Sequence, residues 1–122
     1  MCKLIEFKQG NYVADIKHKY IVNIARQAQA CRNISRIVLF GSALETRCTE
    51  QSDIDIAVFG KKNQNDYLHS KEFKDFQRAL FTFGDDFRQD YDILYFCDQK
   101  EYADPILKDI KKGTEIYRRV EQ

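Results

Sequence analysis

Two aspartates separated by one residue are the first feature of this sequence that suggests chemistry. Asp53 and Asp55 open the segment 53–59, whose apolar content predicts a β-strand. Side chains on a strand alternate between faces, so we expect both carboxylates on one face, about 7 Å apart along the strand. Mg²⁺ suits such a pair, because proteins usually hold it with one or two carboxylates and substrate phosphates. An isolated Asp-x-Asp is more often a pair of solvated side chains, so it needs support from other residues.

A glycine and a serine provide a second feature, directly after the apolar run 36–40. Gly41 permits a tight turn and a close approach of the backbone to a ligand. If a helical turn starts there, the N–H groups of Ser42, Ala43 and Leu44 point outward and favour an anion such as a phosphate. By itself, a Gly-Ser after a strand is usually an ordinary turn.

A third feature is an acidic residue at the start of another apolar strand, predicted over 91–97. Asp92 and Asp90 share a face by alternation, so either could take a role there. We prefer Asp92, because it abuts the apolar run and its position would be set by the sheet.

Together these residues resemble the nucleotidyltransferase superfamily that includes DNA polymerase beta. The matching pattern is Leu39-Phe40-Gly41-Ser42, then ten residues, then Asp53-Ile54-Asp55-Ile56, with the later strand-opening Asp92. The resemblance extends from the first predicted helix to Val120.

The resemblance implies a role for each of these residues. Gly41 and Ser42 would hold the triphosphate of ATP, Asp53 and Asp55 would share two Mg²⁺ ions, and Asp92 would complete the second metal site. Asp92 would also help to activate the attacking hydroxyl. Two metals held in this way stabilise the entering and leaving oxygens of a displacement at phosphorus.

The sequence departs from the family pattern just after the Gly-Ser. Many relatives carry an Arg-Gly pair there, whereas residues 43–48 read Ala-Leu-Glu-Thr-Arg-Cys. Arg47 either binds phosphate from a shifted position or is an exposed loop arginine. The sequence leaves these two alternatives open.

Helical and strand patterns alternate along the chain, which predicts an α/β fold in a single domain, 1–122. Residues 1–10 are ambiguous. Helices are predicted over 12–32, 67–83 and 105–112, strands over 36–40, 53–59 and 91–97, and a strand or helical turn over 114–120. The expected architecture is the nucleotidyltransferase fold, a small mixed β-sheet flanked by helices in the order α-β-β-α-β-α. Lys17 is expected on the solvent side of the first helix.

The composition narrows the class of protein. The 122 residues carry a formal net charge of +1, which argues against a duplex-coating protein and against direct nucleic-acid binding. No stretch is long and apolar enough to span a membrane or to form a signal peptide. The four scattered cysteines are expected to be free thiols in a reducing cytoplasm.

The resemblance also implies an activity and a partner. With no sign of a separate acceptor-binding domain, the chain is similar to the minimal branch of the superfamily, whose members pair with a helical HEPN-type toxin. In that branch the minimal protein is the antitoxin and transfers AMP from ATP to a tyrosine hydroxyl of the toxin. We therefore expect a protein adenylyltransferase.

Two alternatives remain open. The altered segment around Arg47 would suit a non-catalytic module that neutralises its partner by contact alone. The other alternative is transfer of the nucleotide to a small molecule of the aminoglycoside type, with a homo-oligomer building the acceptor pocket. The cationic amines of such an acceptor would need an acidic cluster, for which Asp85, Asp86 and Asp90 are candidates.

Overall fold

The computed structural model describes residues 2–84 and 89–120. The strands are β1 (Leu4–Lys8), β2 (Asn11–Ala14), β3 (Ile34–Phe40), β4 (Ile54–Gly60), β5 (Tyr91–Cys97) and β6 (Thr114–Arg118). The α-helices are α1 (His18–Ala28), α2 (Gln64–Leu68), α3 (Lys71–Phe81) and α4 (Ile106–Lys111). Short 3-10 turns precede α1, over Asp15–Lys17, and follow β3, over Gly41–Leu44. Asp85 and Asp86, the sequence candidates for an acidic pocket, lie outside the described residues.

Four of the strands form one mixed sheet in the order β5-β4-β3-β6. Strand β3 is antiparallel to both β4 and β6, whereas β4 and β5 run parallel. The predicted architecture, a small mixed sheet with helices on it, is confirmed. The structure contains strands that the predicted order lacks: β1 and β2 precede the first helix, and β6 follows the last helix.

Both faces of this sheet are covered, which explains why its strands are so apolar. On one face, α1, α2 and α3 pack on the larger core, which contains Ile21, Ile24, Ile37, Ile56, Tyr67, Phe73, Phe76 and Tyr95. On the other face, α4 packs on a smaller core of Val38, Phe40, Ala57, Phe59, Phe96 and Ile110. Alternate residues of each strand therefore serve different cores, as Ile56 and Ala57 do in β4.

The N-terminal part differs from the prediction. Tyr12 and Val13 belong to β2, which pairs with β1 through a turn at Gly10, where φ is +81°. The helix therefore begins at His18 rather than near residue 12, and it ends at Ala28. Apolar residues three or four apart suit a helix, but Val13 is buried equally well as part of this hairpin.

The prediction that Lys17 faces solvent is also wrong. Its side chain is 1% exposed, whereas the helical pattern put it on the solvent side. It lies in the 3-10 turn ahead of α1, so the 3.6-residue period of the helix does not apply to it.

The predicted helix over residues 67–83 is two helices. Asn63 caps α2 by accepting a hydrogen bond from the Asp66 N–H at 2.8 Å, and Ser70 caps α3 by accepting one from the Phe73 N–H at 3.1 Å. Ser70 has an extended backbone, which ends one helix and starts the next.

The C-terminal part contains α4 and β6. Pro105 is the residue before the first turn of α4, and Gly113 follows the helix. Residues 114–118 form a strand, which decides between the two predicted possibilities. A Cβ on Gly113 would overlap the Leu39 carbonyl oxygen and lie 2.7 Å from Val38 Cγ1. Glycine therefore allows the end of α4 to lie directly on β3.

Among the described residues, no helix has the length and apolarity that crossing a bilayer requires. The four cysteines are unpaired thiols, of which Cys31, Cys48 and Cys97 are buried.

Candidate active site

The parallel pairing of β4 and β5 places two of the predicted acidic residues side by side. Asp55 is directly opposite Asp92 in the register, and Phe40 at the end of β3 is opposite Asp55. Both aspartates belong to the sheet face that carries the smaller core, because they alternate with Ile54 and Ile93. The site is therefore at one end of that face, where apolar residues are replaced by carboxylates.

Asp90, the rival of Asp92, has a different position. Its carbonyl oxygen accepts a hydrogen bond from the Ile54 N–H at 3.0 Å, so its backbone joins the segments that lead into β4 and β5. Asp92, not Asp90, belongs to β5 and pairs with Asp55.

The turn after β3 brings Gly41 against Asp55. Gly41 has φ +77°, in the left-handed region that side chains disfavour, and an added Cβ would overlap the Asp55 Oδ2 atom. Ser42 follows in the same 3-10 turn. Only glycine therefore lets the backbone pass this close to the carboxylate.

Asp92 and Asp53 act electrostatically on Asp55. Asp55 is half-buried, whereas Asp53 and Asp92 are exposed. Burial raises the pKa of Asp55, and the negative charges of Asp92 and then Asp53 raise it further. A cation bound here would relieve both the burial cost and the repulsion.

A cavity of about 600 Å³ opens at this end of the sheet. Its lining residues are Phe40, Gly41, Leu44, Glu45, Arg47, Asp55, Asp92, Leu94, Ile106, Asp109 and Lys112. Four of the six predicted site residues are in this lining. The other two, Ser42 and Asp53, are close in sequence to lining residues but do not line the cavity themselves. Acidic and basic groups face the same space, which suits a polyanion bound through a cation.

Arg47 has features of both alternatives that the sequence left open. Its side chain is exposed and forms an ion pair with Glu45, yet it also lines the cavity. The hydrogen bond and charge of Glu45 raise the pKa of Arg47, so the guanidinium stays charged.

Sequence reasoning missed two lysines. Lys112 lines the cavity at the end of α4, more than 60 residues from the Gly-Ser turn. A basic residue in the last turn of a helix is common, so no sequence signal marked it.

Lys17 is the second missed lysine, and its buried ammonium is electrostatically linked to the site. Burial lowers its pKa, whereas the charges of Cys48, Asp53 and Glu50 raise it. A buried lysine has no pattern of its own in a sequence, because its burial depends on distant residues.

The described residues fit a magnesium site of the kind that substrate completes. Across residues 2–84 and 89–120, no group of three or more acidic, histidine or cysteine side chains converges to hold a metal ion. The repelling pair Asp55 and Asp92 nevertheless supplies the one or two carboxylates that Mg²⁺ takes when phosphates provide other ligands.

Comparison with known proteins identifies the class that this fold and site define. The family model described as "Polymerase beta, Nucleotidyltransferase" matches residues 19–122. The chain belongs to this nucleotidyltransferase family, and its general function is nucleotidyl transfer. Members of the family generally use a nucleotide substrate and Mg²⁺. A search of curated proteins found no significant match to the chain.

Proposed function

We propose that this protein is a Mg²⁺-dependent adenylyltransferase that transfers AMP from ATP to a hydroxyl of a partner protein. We further propose that the hydroxyl belongs to a tyrosine of a HEPN-type helical toxin and that the protein acts as its antitoxin. The observation that carries the catalytic part is the side-by-side placement of Asp55 and Asp92 in one cavity, with Gly41 against Asp55. The partner rests on the resemblance to the minimal branch.

In this proposal the turn after β3 binds the triphosphate. The N–H groups around Gly41 and Ser42 face its oxygens, and the cationic side chains of Arg47 and Lys112, which both line the cavity, balance its charge. Lys112 takes part of the role that the Arg-Gly pair has in many relatives.

The carboxylates of Asp53, Asp55 and Asp92 would hold two Mg²⁺ ions, which supply positive charge to the phosphate oxygens when bound. The acceptor hydroxyl oxygen attacks the α-phosphorus, and the bond from that phosphorus to the bridging oxygen of the β-phosphate breaks. Pyrophosphate leaves with that oxygen, and Asp92 accepts the hydroxyl proton.

A second groove supports a protein acceptor. It has a volume of about 370 Å³ and shares Asp92, Leu94 and Ile106 with the first cavity. Leu68 and Phe96 extend its apolar lining along β5, the edge strand of the sheet. An aromatic side chain entering this groove would bring its hydroxyl towards Asp92.

The alternatives differ in their support. A non-catalytic binding module is favoured by the ion pair between Arg47 and Glu45, which competes with phosphate for the guanidinium. Transfer to an aminoglycoside-type molecule depended on Asp85, Asp86 and Asp90. Asp90, which the structure describes, does not line the cavity.

We also propose a cytoplasmic location, since the four cysteines are unpaired.

The experiment is transfer of label from α-labelled ATP to a candidate helical partner in the presence of Mg²⁺. Wild type is compared with Asp53→Asn/Asp55→Asn and with Asp75→Asn, a control at a surface aspartate paired with Lys71. We expect transfer by wild type and the control only. A tight complex with the partner but no transfer by any variant would instead establish the binding module. Transfer that survives the double substitution would exclude this site as the catalytic one.

A further inference from the structure

A buried lysine and a buried glutamine connect the two chain segments that lead into β4 and β5. Lys17 is 1% exposed and Gln89 is 5% exposed. The Lys17 ammonium donates to the Gln89 Oε1 atom at 2.5 Å and to the Glu50 carbonyl oxygen at 3.1 Å. Lys17 thus bonds to Glu50 and Gln89, which lie 33 and 72 positions later in the chain.

The amide group of Gln89 extends this connection on its other side. Its Nε2 atom donates to the Ser52 carbonyl oxygen at 3.1 Å and to the Asp90 carbonyl oxygen at 2.6 Å. The Ile54 N–H also donates to the Asp90 carbonyl oxygen, at 3.0 Å. Asp53 therefore lies between two residues that are bonded to the segment 89–90, and Asp92 follows that segment by two residues.

Packing alone does not explain why a lysine occupies this position. Lys17 is the only charged side chain among the buried polar residues that the structure describes. Burying an ammonium costs free energy that an apolar side chain of similar length would not. The carbonyl and amide oxygens around it recover part of this cost, and Asp53 attracts it electrostatically.

We propose that Lys17 and Gln89 are positioning residues for nucleotidyl transfer. They set the position of Asp53 relative to Asp92 by joining the segments in front of β4 and β5, and they touch neither nucleotide nor acceptor. This inference rests on the proposed function, because it assigns the purpose of the connection to the metal-binding carboxylates. Lys17 and Gln89 are not part of the family pattern, which consists of the Gly-Ser turn and the three aspartates.

A purely structural role makes a different prediction. It would lower stability without changing how the folded protein responds to divalent ions. Outer partners of metal-binding residues, by contrast, change metal affinity or activity by about 10- to 100-fold when they are replaced. The dependence on metal concentration in folded variants therefore separates the two roles.

The test uses two substitutions and one control. Lys17→Met removes the ammonium at nearly constant length. Gln89→Glu keeps an oxygen for Lys17 but removes the donor to Ser52 and Asp90. This variant tests the proposal even if Lys17→Met fails to fold. Lys19→Met is the control, since Lys19 is an exposed neighbour whose ammonium lies over the Tyr20 ring and not in the connection between Lys17 and Gln89.

Each variant is measured below its unfolding temperature for the Mg²⁺ dependence of AMP transfer. Mn²⁺ binding in the presence of ATP and amide hydrogen exchange at Ile54 are measured on the same samples. We expect about a tenfold higher half-saturating metal concentration and faster exchange at Ile54 for Lys17→Met and Gln89→Glu, with Lys19→Met unchanged. Unchanged Mn²⁺ affinity in a folded Gln89→Glu protein would overturn the inference.

The Mn²⁺ and exchange measurements do not need catalysis. If wild type transfers no AMP, the proposed function fails, while weaker Mn²⁺ binding by both variants would still support positioning. If wild type transfers AMP and both variants keep its metal dependence, only the positioning role is excluded.

Discussion

At the scale of single residues, the site depends on a close approach of backbone to carboxylate. Gly41 in its left-handed conformation lies against Asp55, and Asp55 lies beside Asp92 on the next strand. Each of these positions is sensitive to a single added or removed group. Two substitutions test them.

Gly41→Ala is expected to destabilise the protein more than Gly10→Ala. Both glycines have a positive φ, near +80°, so alanine costs about 1–2 kcal/mol of conformational strain at either position. Nothing lies within 4 Å of a Cβ on Gly10, whereas a Cβ on Gly41 overlaps Asp55. The overlap should add about 1–3 kcal/mol. Urea unfolding of the two variants measures the difference, and equal losses would contradict the close approach.

Asp55→Asn is expected to stabilise the protein at neutral pH without divalent ions. The folded-state pKa of Asp55 is raised above its unfolded value by burial and by repulsion from Asp92 and Asp53. The folded state therefore binds more protons in the interval between the two values, and ionised Asp55 lowers stability above it. The melting temperature of the variant should exceed that of wild type at pH 7, and the gain should vanish below about pH 4.

Asp75→Asn is the control for this pH series. Asp75 pairs with Lys71 and Arg78 at the surface, so its replacement should bring no gain at pH 7. A lower melting temperature for Asp55→Asn than for wild type at pH 7 would show that the carboxylate is favourably paired instead.

At the scale of elements, side-chain caps mark where α2 and α3 begin. Ser70 both accepts from the Phe73 N–H and donates to the Tyr67 carbonyl oxygen, at 2.6 Å. This residue separates α2 from α3 and directs Phe73 and Phe76 into the larger core.

Ser70→Ala is expected to lower the free energy of unfolding by about 1 kcal/mol, because the first N–H groups of α3 lose their side-chain acceptor. Ser70→Thr keeps the hydroxyl and should cost less. Chemical unfolding followed by circular dichroism measures both. Equal stability of wild type and Ser70→Ala would mean that the cap contributes nothing.

At the scale of the whole molecule, the site is formed where three strands and α4 meet. The sheet order brings β3, β4 and β5 together, and α4 supplies Lys112 from the C-terminal part. Ligands that bind this arrangement therefore favour the folded state as a whole.

Mg²⁺ and ATP together are expected to raise the melting temperature. At a free ligand concentration 100 times the dissociation constant, binding adds about 2.7 kcal/mol, or roughly 10 °C for a domain of this size. ATP without a divalent ion should give a smaller shift, since the carboxylates repel the phosphates. Asp55→Asn/Asp92→Asn should lose the extra response to Mg²⁺, and a full response in that variant would move the metal site elsewhere.

Local patterns in the sequence were sufficient for the three central strands and for the candidate residues on them. Apolar runs bounded by glycine or aspartate predicted β3, β4 and β5 within one or two residues, because alternation and turn residues act over short distances. The roles of Gly41, Ser42, Arg47, Asp53, Asp55 and Asp92 stay predictions. The structure adds that Asp55 and Asp92 are neighbours, which follows from strand pairing.

Other features depended on residues far apart in the chain. The burial of Lys17 depends on residues 33 and 72 positions later in the chain, and the contribution of Lys112 to the cavity depends on α4 packing on the sheet. A periodic pattern states which face of an element is apolar, but not which element covers it. The sequence alone determined the three central strands and their acidic residues, whereas the tertiary structure decided which charges share one cavity, because that choice depends on contacts across 30 to 70 residues.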